Sequence, residues 1–203
     1  MKSRPTTRAT LPRSPRSAPQ ATRGASLDGP SNSTDPTIWL ADSATGSWTR
    51  SAPFRFWFKK AGNQITSDYE SLMWQSTPGA SGPSFVVDIR GATEPFDIRF
   101  SVMTTADTLA YVTIPAGVTP GSWHHVTAVV DDAHLRLTVD QSATELTLMA
   151  DGAQKSEAPI YFGRVDDGGS SPRFFNGHLD EIRLYRKTLS QPDIDLLFAE
   201  GNR

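Results

Sequence analysis

The stretch that most constrains the fold of this chain is residues 121–140, which has the pattern of two β-strands around a polar turn. The first half, 123–130, is rich in β-branched and aromatic residues, and 131–134 interrupts it with acidic and polar ones. In the second half apolar and polar residues alternate, and one face carries Leu135, Leu137 and Val139. Successive side chains of a strand point to opposite faces, so this pattern predicts a hairpin with one buried and one solvated face.

Further strand-like segments follow the same pattern along the chain. In 54–59, Phe54, Phe56 and Phe58 share one face, which predicts a strand with a phenylalanine core stripe. Similar segments, separated by turn residues, are 37–41, 71–74, 85–89, 96–102, 109–114, 145–148, 160–162 and 177–185. No alternation of strands with helices is visible. The sequence therefore predicts an all-β fold, an antiparallel β-sandwich of the jelly-roll type.

One short helix is predicted near the C-terminus. Ser190 has the character of an N-cap, with a proline in the first turn and Asp193 three residues after the cap. Ile194, Leu197 and Phe198 then form an apolar stripe at helical spacing. We expect this helix to close one edge or one end of the sandwich.

The N-terminal segment 1–36 differs in composition from the rest. Pro, Ser, Thr, Arg, Gly and Ala dominate it, so it lacks the apolar surface needed to fold alone. Its first 27 residues hold no acid and six basic residues: Lys2, Arg4, Arg8, Arg13, Arg16 and Arg23. The remainder holds 14 basic and 22 acidic residues, a balance of −8. We expect an extended basic arm over 1–36 that docks on an acidic partner, followed by one domain over 37–203.

The composition also limits the chemistry. The chain has no cysteine, so disulfides, thiolate ligands and thiol nucleophiles are excluded. No apolar run approaches the roughly 20 residues of a membrane span, and the basic N-terminus lacks the apolar core of a secretory signal. These features are compatible with a cytosolic product, a bacterial product or a virion component, and they predict no membrane insertion.

An ordered set of segments resembles the laminin-G-like, concanavalin A-like jelly-roll family. The set comprises 123–131, 135–140, 160–163, 175–185 and 189–194, with 54–59 resembling the early aromatic strand of that family. The resemblance covers roughly residues 37–201 and implies two antiparallel sheets packed face to face. The chain departs from the family at the turns after Val130 and Val139, so the resemblance transfers the fold and not a ligand site.

The resemblance implies two kinds of chemistry, calcium binding and glycoside hydrolysis. Many relatives bind Ca²⁺ with loop carboxylates, and the candidate ligands here are Asp131, Asp132, Asp166 and Asp167. Related glycosidases place two carboxylates on one face of a strand, and the sequence lacks their acidic motif. Asp180 and Glu181 are adjacent, so we expect them on opposite faces of a strand. The sequence therefore predicts no enzyme, with calcium as the only cofactor to consider.

Histidines and tryptophans are the remaining candidates for a site. His124 and His125 are neighbours in a strand, so we expect them on opposite faces and in structural roles. Trp48, Trp57 and Trp74 are candidates for stacking on a sugar, although an indole on a strand is commonly part of a core.

Two functions compete on this evidence. The first is a virion accessory protein of a phage capsid or tail, anchored by the basic arm and oligomeric within that assembly. The second is a lectin-like module, extracellular or on a cell surface, that binds a host-surface glycan. The second is an analogy at the level of fold.

Overall fold

The sandwich predicted from the sequence is present in the computed structural model. The structure describes residues 53–65, 68–76, 84–131, 133–147, 152–154, 156, 158, 160–165, 173–185 and 189–201. The elements are β1 (Phe54–Lys60), β2 (Glu70–Gln75), β3 (Phe85–Arg90), β4 (Phe96–Met103), β5 (Leu109–Val118), β6 (Trp123–Val130), β7 (His134–Val139), β8 (Ser142–Thr147), β9 (Ile160–Phe162), β10 (Gly177–Leu184) and α1 (Gln191–Gly201).

Two antiparallel five-stranded sheets form the body of the protein. The first sheet has the order β10-β1-β6-β7-β8, and the second has the order β5-β4-β3-β2-β9. The hairpin of β6 and β7 pairs Val130 with Leu135 and Val126 with Val139, as the alternation predicts. Its second face was expected to be solvated and is largely buried instead: His125 and Thr127 are 0% exposed, and Phe198 of α1 lies against His125. The all-β sandwich with one C-terminal helix is therefore confirmed.

The core lies between the sheets and is built from every second residue of the strands. Phe54, Phe56 and Phe58 of β1 are at most 1% exposed and face Phe100 and Phe162 of the second sheet, among others. Burying one such side chain contributes roughly 1.5–3 kcal/mol. The residues between them in each strand consequently face outward, and these residues are the ones available for function.

A buried ion pair also links the sheets. Lys60 at the end of β1 is 0% exposed and places Nζ 2.8 Å from Oε1 of Glu70 in β2. Lys60 Nζ further donates to the carbonyls of Ala61 and Gln64, and Glu70 Oε2 accepts from the backbone N–H of Asn176. The lysine's three donors and both carboxylate oxygens thus have partners, as burial of charge requires.

Helix α1 covers the outer face of the first sheet, which differs from the edge or end expected from the sequence. Phe198 stacks on Trp57 with ring centroids 5.9 Å apart, and a Cβ on Gly201 would lie 2.4 Å from the Trp57 indole nitrogen. Ser190 and Asp193 form the predicted N-terminal cap, with Ser190 N donating to Asp193 at 2.9 Å. Trp57 explains why the helix packs on this face and not at an edge or end of the sandwich. Its indole points outward, and the helix buries that apolar surface.

The N-terminal arm and membrane insertion are the two remaining predictions about the organisation of the chain. Residues 1–36, and with them the boundary at 37, lie outside the described residues, as does the predicted strand 37–41. In the part of the chain that is described, no helix has the length and apolar character needed to cross a membrane.

Candidate functional site

The outer face of the second sheet carries a cluster of charged and aromatic side chains. In β3 and β4 every second residue points into the core. The residues between them, which include Asp88, Arg90, Arg99 and Ser101, therefore face outward. The register pairs Asp88 directly with Arg99 across the two strands. Arg90, two residues further along β3, and Arg99, directly opposite in β4, therefore both lie next to the Asp88 carboxylate.

Asp88 is the centre of this cluster. Its side chain is fully buried and accepts three hydrogen bonds: from Arg90 Nε at 2.6 Å, from Arg90 Nη2 at 3.1 Å and from Arg99 Nη2 at 3.2 Å. Burial of a carboxylate is tolerated when it is paired and hydrogen-bonded in this way. Two guanidinium groups share one carboxylate, so the three side chains together carry a charge of about +1 at neutral pH.

Tyrosine rings hold the guanidinium groups against the sheet. The Arg99 guanidinium lies 5.3 Å from the ring centre of Tyr111, and those of Arg90 and Arg173 lie 4.7 and 4.8 Å from the ring of Tyr69. Cation–π contacts of this length are favourable and fix the guanidinium planes. We call the surface the arginine–tyrosine face; its members are Tyr69, Asp88, Arg90, Arg99, Tyr111 and Arg173.

Several polar atoms on this side of the sheet have no hydrogen-bond partner. They are the hydroxyls of Ser71 and Ser101, the indole nitrogen of Trp74 and Nε of Arg99. Ser71 pairs with Asp88 in the register, and Ser101 pairs with Tyr111. Buried polar groups normally have partners, and because these four atoms are themselves buried, ordered water within the protein is the partner that suits them.

Two of the three candidate tryptophans, Trp57 and Trp74, are described by the structure, and both are packed into the protein. Trp57 is 4% exposed and contacts Phe198 and His125, whose ring centroids lie 5.9 and 5.1 Å from its own. Trp74 is 6% exposed and packs with Val86 and Val165. Neither indole has an open face for a sugar, because a helix covers the first and neighbouring side chains cover the second. Trp48 lies outside the described residues.

The candidate calcium ligands are only partly visible. Asp131 uses Oδ1 to accept from the backbone N–H groups of Ala133 and His134, at 2.8 and 2.7 Å, so it stabilises the turn between β6 and β7. Asp132, Asp166 and Asp167 fall outside the described residues. Within the described ranges no group of three or more acidic or histidine side chains is placed to hold a metal ion. Calcium binding stays a prediction.

The two adjacent histidines of β6 face opposite ways, as expected. His124 Nδ1 lies 2.9 Å from Oδ2 of Asp140, and its Nε2 lies 3.1 Å from the carbonyl oxygen of Thr119. His125 is fully buried beside Trp57 and Phe198, and neither of its ring nitrogens has a partner.

These surroundings move the two histidine pKa values in opposite directions. For His124, burial is the largest influence and lowers the pKa, but the hydrogen bonds to Asp140 and Thr119 and the charge of Asp140 together outweigh it, so the pKa is raised. For His125, burial and then the nearby charge of Arg55 lower the pKa to about 4. His125 is consequently neutral at physiological pH, in keeping with a packing role.

The expectation for Asp180 and Glu181 requires correction. The pairing of β1 with β10 shifts between Arg55 and Trp57, and Glu181 has a φ of 50° at this irregularity. The bulge turns Glu181 toward the outward-facing Arg55, with Oε2 3.1 Å from Nη2, while Asp180 pairs with the outward-facing Trp57. Both acids therefore lie on the outer face, because a bulge breaks the alternation on which the expectation relied.

The arginine–tyrosine face was not predicted as a site from the sequence, although part of its signal is present. The alternation in 85–90 and 96–102 places Asp88, Arg90 and Arg99 on the face opposite the core. The sequence does not show which residues of β3 and β4 pair, and it does not show the path of the chain that brings Arg173 to Tyr69. The predicted arm residues, Lys2 to Arg23, lie outside the described residues.

The comparisons with known proteins agree with this architecture. A family model described as the concanavalin A-like lectin/glucanases superfamily, of laminin G type, matches residues 31–195. A search of curated protein sequences gives no match.

Solved structures of similar fold come from several sources. The CBM40 of the Ruminococcus gnavus IT-sialidase bound to α2,3 sialyllactose has a TM-score of 0.67 and 14% identity, covering 88% of this chain and 97% of that one. Mouse laminin α1 domains LG4-5 have a TM-score of 0.58 and 18% identity, covering 83% and 42%. The receptor binding domain of botulinum neurotoxin D has a TM-score of 0.58 and 14% identity, covering 79% and 40%. At these identities the likeness is one of fold.

Proposed function

This chain belongs to the concanavalin A-like lectin/glucanases superfamily, and from that premise we propose that it is a non-catalytic module that binds carbohydrate through the arginine–tyrosine face. The observation that carries the proposal is Tyr111, a residue that is 54% exposed on the outer face of the second sheet beside the Arg99 guanidinium. An exposed aromatic residue next to a guanidinium side chain that is 17% exposed offers a sugar both a stacking surface and donors for its hydroxyl groups.

The rigidity of this surface supports the proposal. Asp88, Arg90 and Arg99 lie within paired strands, and Asp88 fixes both guanidinium groups from below. A site on strands whose side chains are held by hydrogen bonds needs little reorganisation when a ligand binds.

The structural neighbours support the same reading at the level of fold. One of them is a CBM40 with α2,3 sialyllactose bound, and the similarity extends over 97% of that chain. A fold alone does not fix a function, so the weight of the proposal rests on the surface described above.

The non-catalytic part of the proposal rests on how the acids on the outer face of the first sheet are used. Glu181 is paired with Arg55 at 3.1 Å, and Asp180 Oδ1 accepts from the Glu181 backbone N–H at 2.8 Å. A retaining or inverting glycosidase needs one carboxyl group as an acid and a second that attacks or activates water. An ion pair with a buried arginine suits a structural carboxylate better than either role.

A glycan array probed with the full chain, followed by calorimetry on the best ligand, tests the proposal. Tyr111→Ala should lower the affinity up to about tenfold, because contacts with an aromatic ring are commonly worth about 0.5–1.5 kcal/mol. Leu146→Ala is the matched control, since Leu146 is an exposed apolar residue of β8 in the other sheet. A blank array, or equal losses in both variants, would count against the proposal.

The basic arm has a separate part in the proposal, as a segment that attaches the module to an acidic surface. Its charge of +6 over the first 27 residues supports this role, and residues 31–195 match the family without it. A variant lacking residues 1–30 should keep its glycan affinity and lose its attachment.

The setting follows from the same reasoning. The comparisons favour the extracellular or cell-surface alternative, whereas placement on a phage capsid or tail rests on features of the sequence alone. Recovery of the protein from its native source, and identification of what sediments with it, decides between the two.

A further inference from the structure

We infer that the ligand of the arginine–tyrosine face carries an anionic group, a carboxylate or a sulfate, and that Arg99 binds it. The inference rests on the proposed function and adds the chemical class of the ligand. Three observations lead to it: the charge of the face, the donors it leaves unused and the exposure of the groups concerned.

The charge of the face is positive. Its six members include three arginines that stack on tyrosines, Arg90, Arg99 and Arg173, and one carboxylate, Asp88, so their charges sum to about +2. The nearby outward acid of β4, Asp97, is engaged elsewhere, since its Oδ1 accepts from the backbone N–H of Ala116 at 2.9 Å. The field over the face therefore favours an anion.

The donors of Arg99 are mostly unused. A guanidinium has five N–H donors, and Arg99 gives Asp88 a single hydrogen bond, at 3.2 Å. Arg90, by contrast, spends two donors on the same carboxylate. Arg99 Nε is buried and has no partner, whereas the side chain as a whole is 17% exposed, so an acidic group reaches this guanidinium through its Nη donors.

The acceptors of the face point to the same class of ligand. Asp88, its carboxylate, is buried and already receives three hydrogen bonds. The partly exposed charged groups beside it are the guanidinium groups of Arg90 and Arg99. Such a face suits an acceptor-rich anion and offers a cation no free carboxylate.

The geometry gives the anion a route to Arg99. The Arg99 side chain is 17% exposed and lies against Tyr111, the most exposed aromatic ring on this face. A sugar stacked on Tyr111 would hold an acidic substituent beside the guanidinium. One residue thus provides the platform and its neighbour the charge that distinguishes acidic from neutral glycans.

The test compares acidic and neutral glycans on one array, with the full chain at low salt. Carboxylated probes, such as sialyllactose and hyaluronate fragments, and sulfated probes, such as heparin fragments, are set against their neutral counterparts. We expect acidic probes to bind at least tenfold more tightly, with affinity falling as sodium chloride is raised. Comparison of the carboxylated probes with the sulfated probes shows which acidic group is preferred.

Variants then assign the effect to Arg99. The basic arm also attracts acidic probes, and every variant keeps it, so the effect of the face is the difference between variants. Arg99→Met should lower the preference for acidic probes, and Arg99→Lys should lower it less, because lysine keeps the charge without the planar fork. The matched control is Arg136→Met, which removes an arginine from the opposite sheet and should leave the preference unchanged. Melting temperatures of all variants show whether each one folds.

The outcomes separate the inference from the proposed function. Neutral glycans bound as tightly as acidic ones, or an Arg99→Met variant with an unchanged preference, would overturn the inference and leave carbohydrate binding in place. An array on which nothing binds would overturn both.

Discussion

Lys60 and Glu70 form a buried ion pair that joins the two sheets of the sandwich, with 2.8 Å between Nζ and Oε1. The pair is closed on both sides, by two backbone carbonyls around the lysine and a backbone N–H on the glutamate. Such a pair stabilises the fold less than its short distance suggests, because both ions were solvated before folding. Removal of one partner, by contrast, is strongly destabilising, because it leaves the other charge buried without a counterion.

Lys60→Met should lower the free energy of unfolding by about 3–5 kcal/mol, because it leaves the Glu70 carboxylate buried without a counterion. The double variant Lys60→Met, Glu70→Gln should lose less than Lys60→Met alone, since no charge is then left in the core. Urea denaturation measures both. Arg136→Met breaks the exposed pair of Arg136 and Glu145 and should cost at most about 1 kcal/mol. Similar losses for Lys60→Met and Arg136→Met would contradict the account.

The stability of the protein should depend on pH through His125. Its pKa is lowered from 6.5 to about 4 in the folded chain, so the unfolded chain binds a proton more readily. The contribution of neutral His125 is complete above pH 6.5 and is lost as the pH falls toward 4, by at most about 3 kcal/mol. His125→Phe should flatten the stability profile over this range. A profile that keeps its slope in the variant would assign the effect to other groups.

His124 should respond in the opposite direction, because its pKa is raised by its bonds to Asp140 and Thr119 in spite of burial. Its contribution is complete below pH 6.5 and is lost as the pH rises through the folded pKa. Asp140→Asn keeps the backbone with its φ of 54°, which asparagine tolerates, and removes the charge. NMR titration should then find a lower pKa for His124 in this variant. An unchanged value would mean that Asp140 has no influence on the proton.

Gly177→Ala should disrupt the contact of β10 with β1. A Cβ at this position would lie 2.2 Å from the carbonyl oxygen of Lys59 and 2.5 Å from the ring of Phe175, so the strands must separate. We expect a loss of about 1–3 kcal/mol or more in thermal or chemical denaturation. Asn176→Ala, at the exposed residue before it, is the control and should stay within about 0.5 kcal/mol. A Gly177→Ala protein as stable as its control would refute the close approach.

The parts of the fold that follow from alternation could be predicted from the sequence, and the parts that depend on register could not. Phe54, Phe56 and Phe58 were placed in the core by their spacing, and the cap at Ser190 fixed the start of the helix. The bulge at Glu181 breaks the alternation with one residue of positive φ, and no feature of the sequence around it indicates that conformation.

The site shows the same division. Trp57 and Trp74 were singled out as candidates for stacking on a sugar, yet tryptophan is also highly buried on average, and both are buried. The arginine–tyrosine face depends on the pairing of Asp88 with Arg99 and on Tyr69 and Arg173, residues 104 positions apart that meet only in the fold. Contacts of that separation come from topology, which composition and local pattern do not encode.

The position of α1 bears on how the molecule is presented to other surfaces. The helix ends at Gly201 against the outer face of the first sheet, on the side of the sandwich away from the arginine–tyrosine face. A tag or solid support joined beyond Gly201 thus leaves from the rear of the domain. Immobilised by that end, the protein should display its tyrosine platform toward the solution, and a sensor chip prepared in this way should retain its full binding capacity.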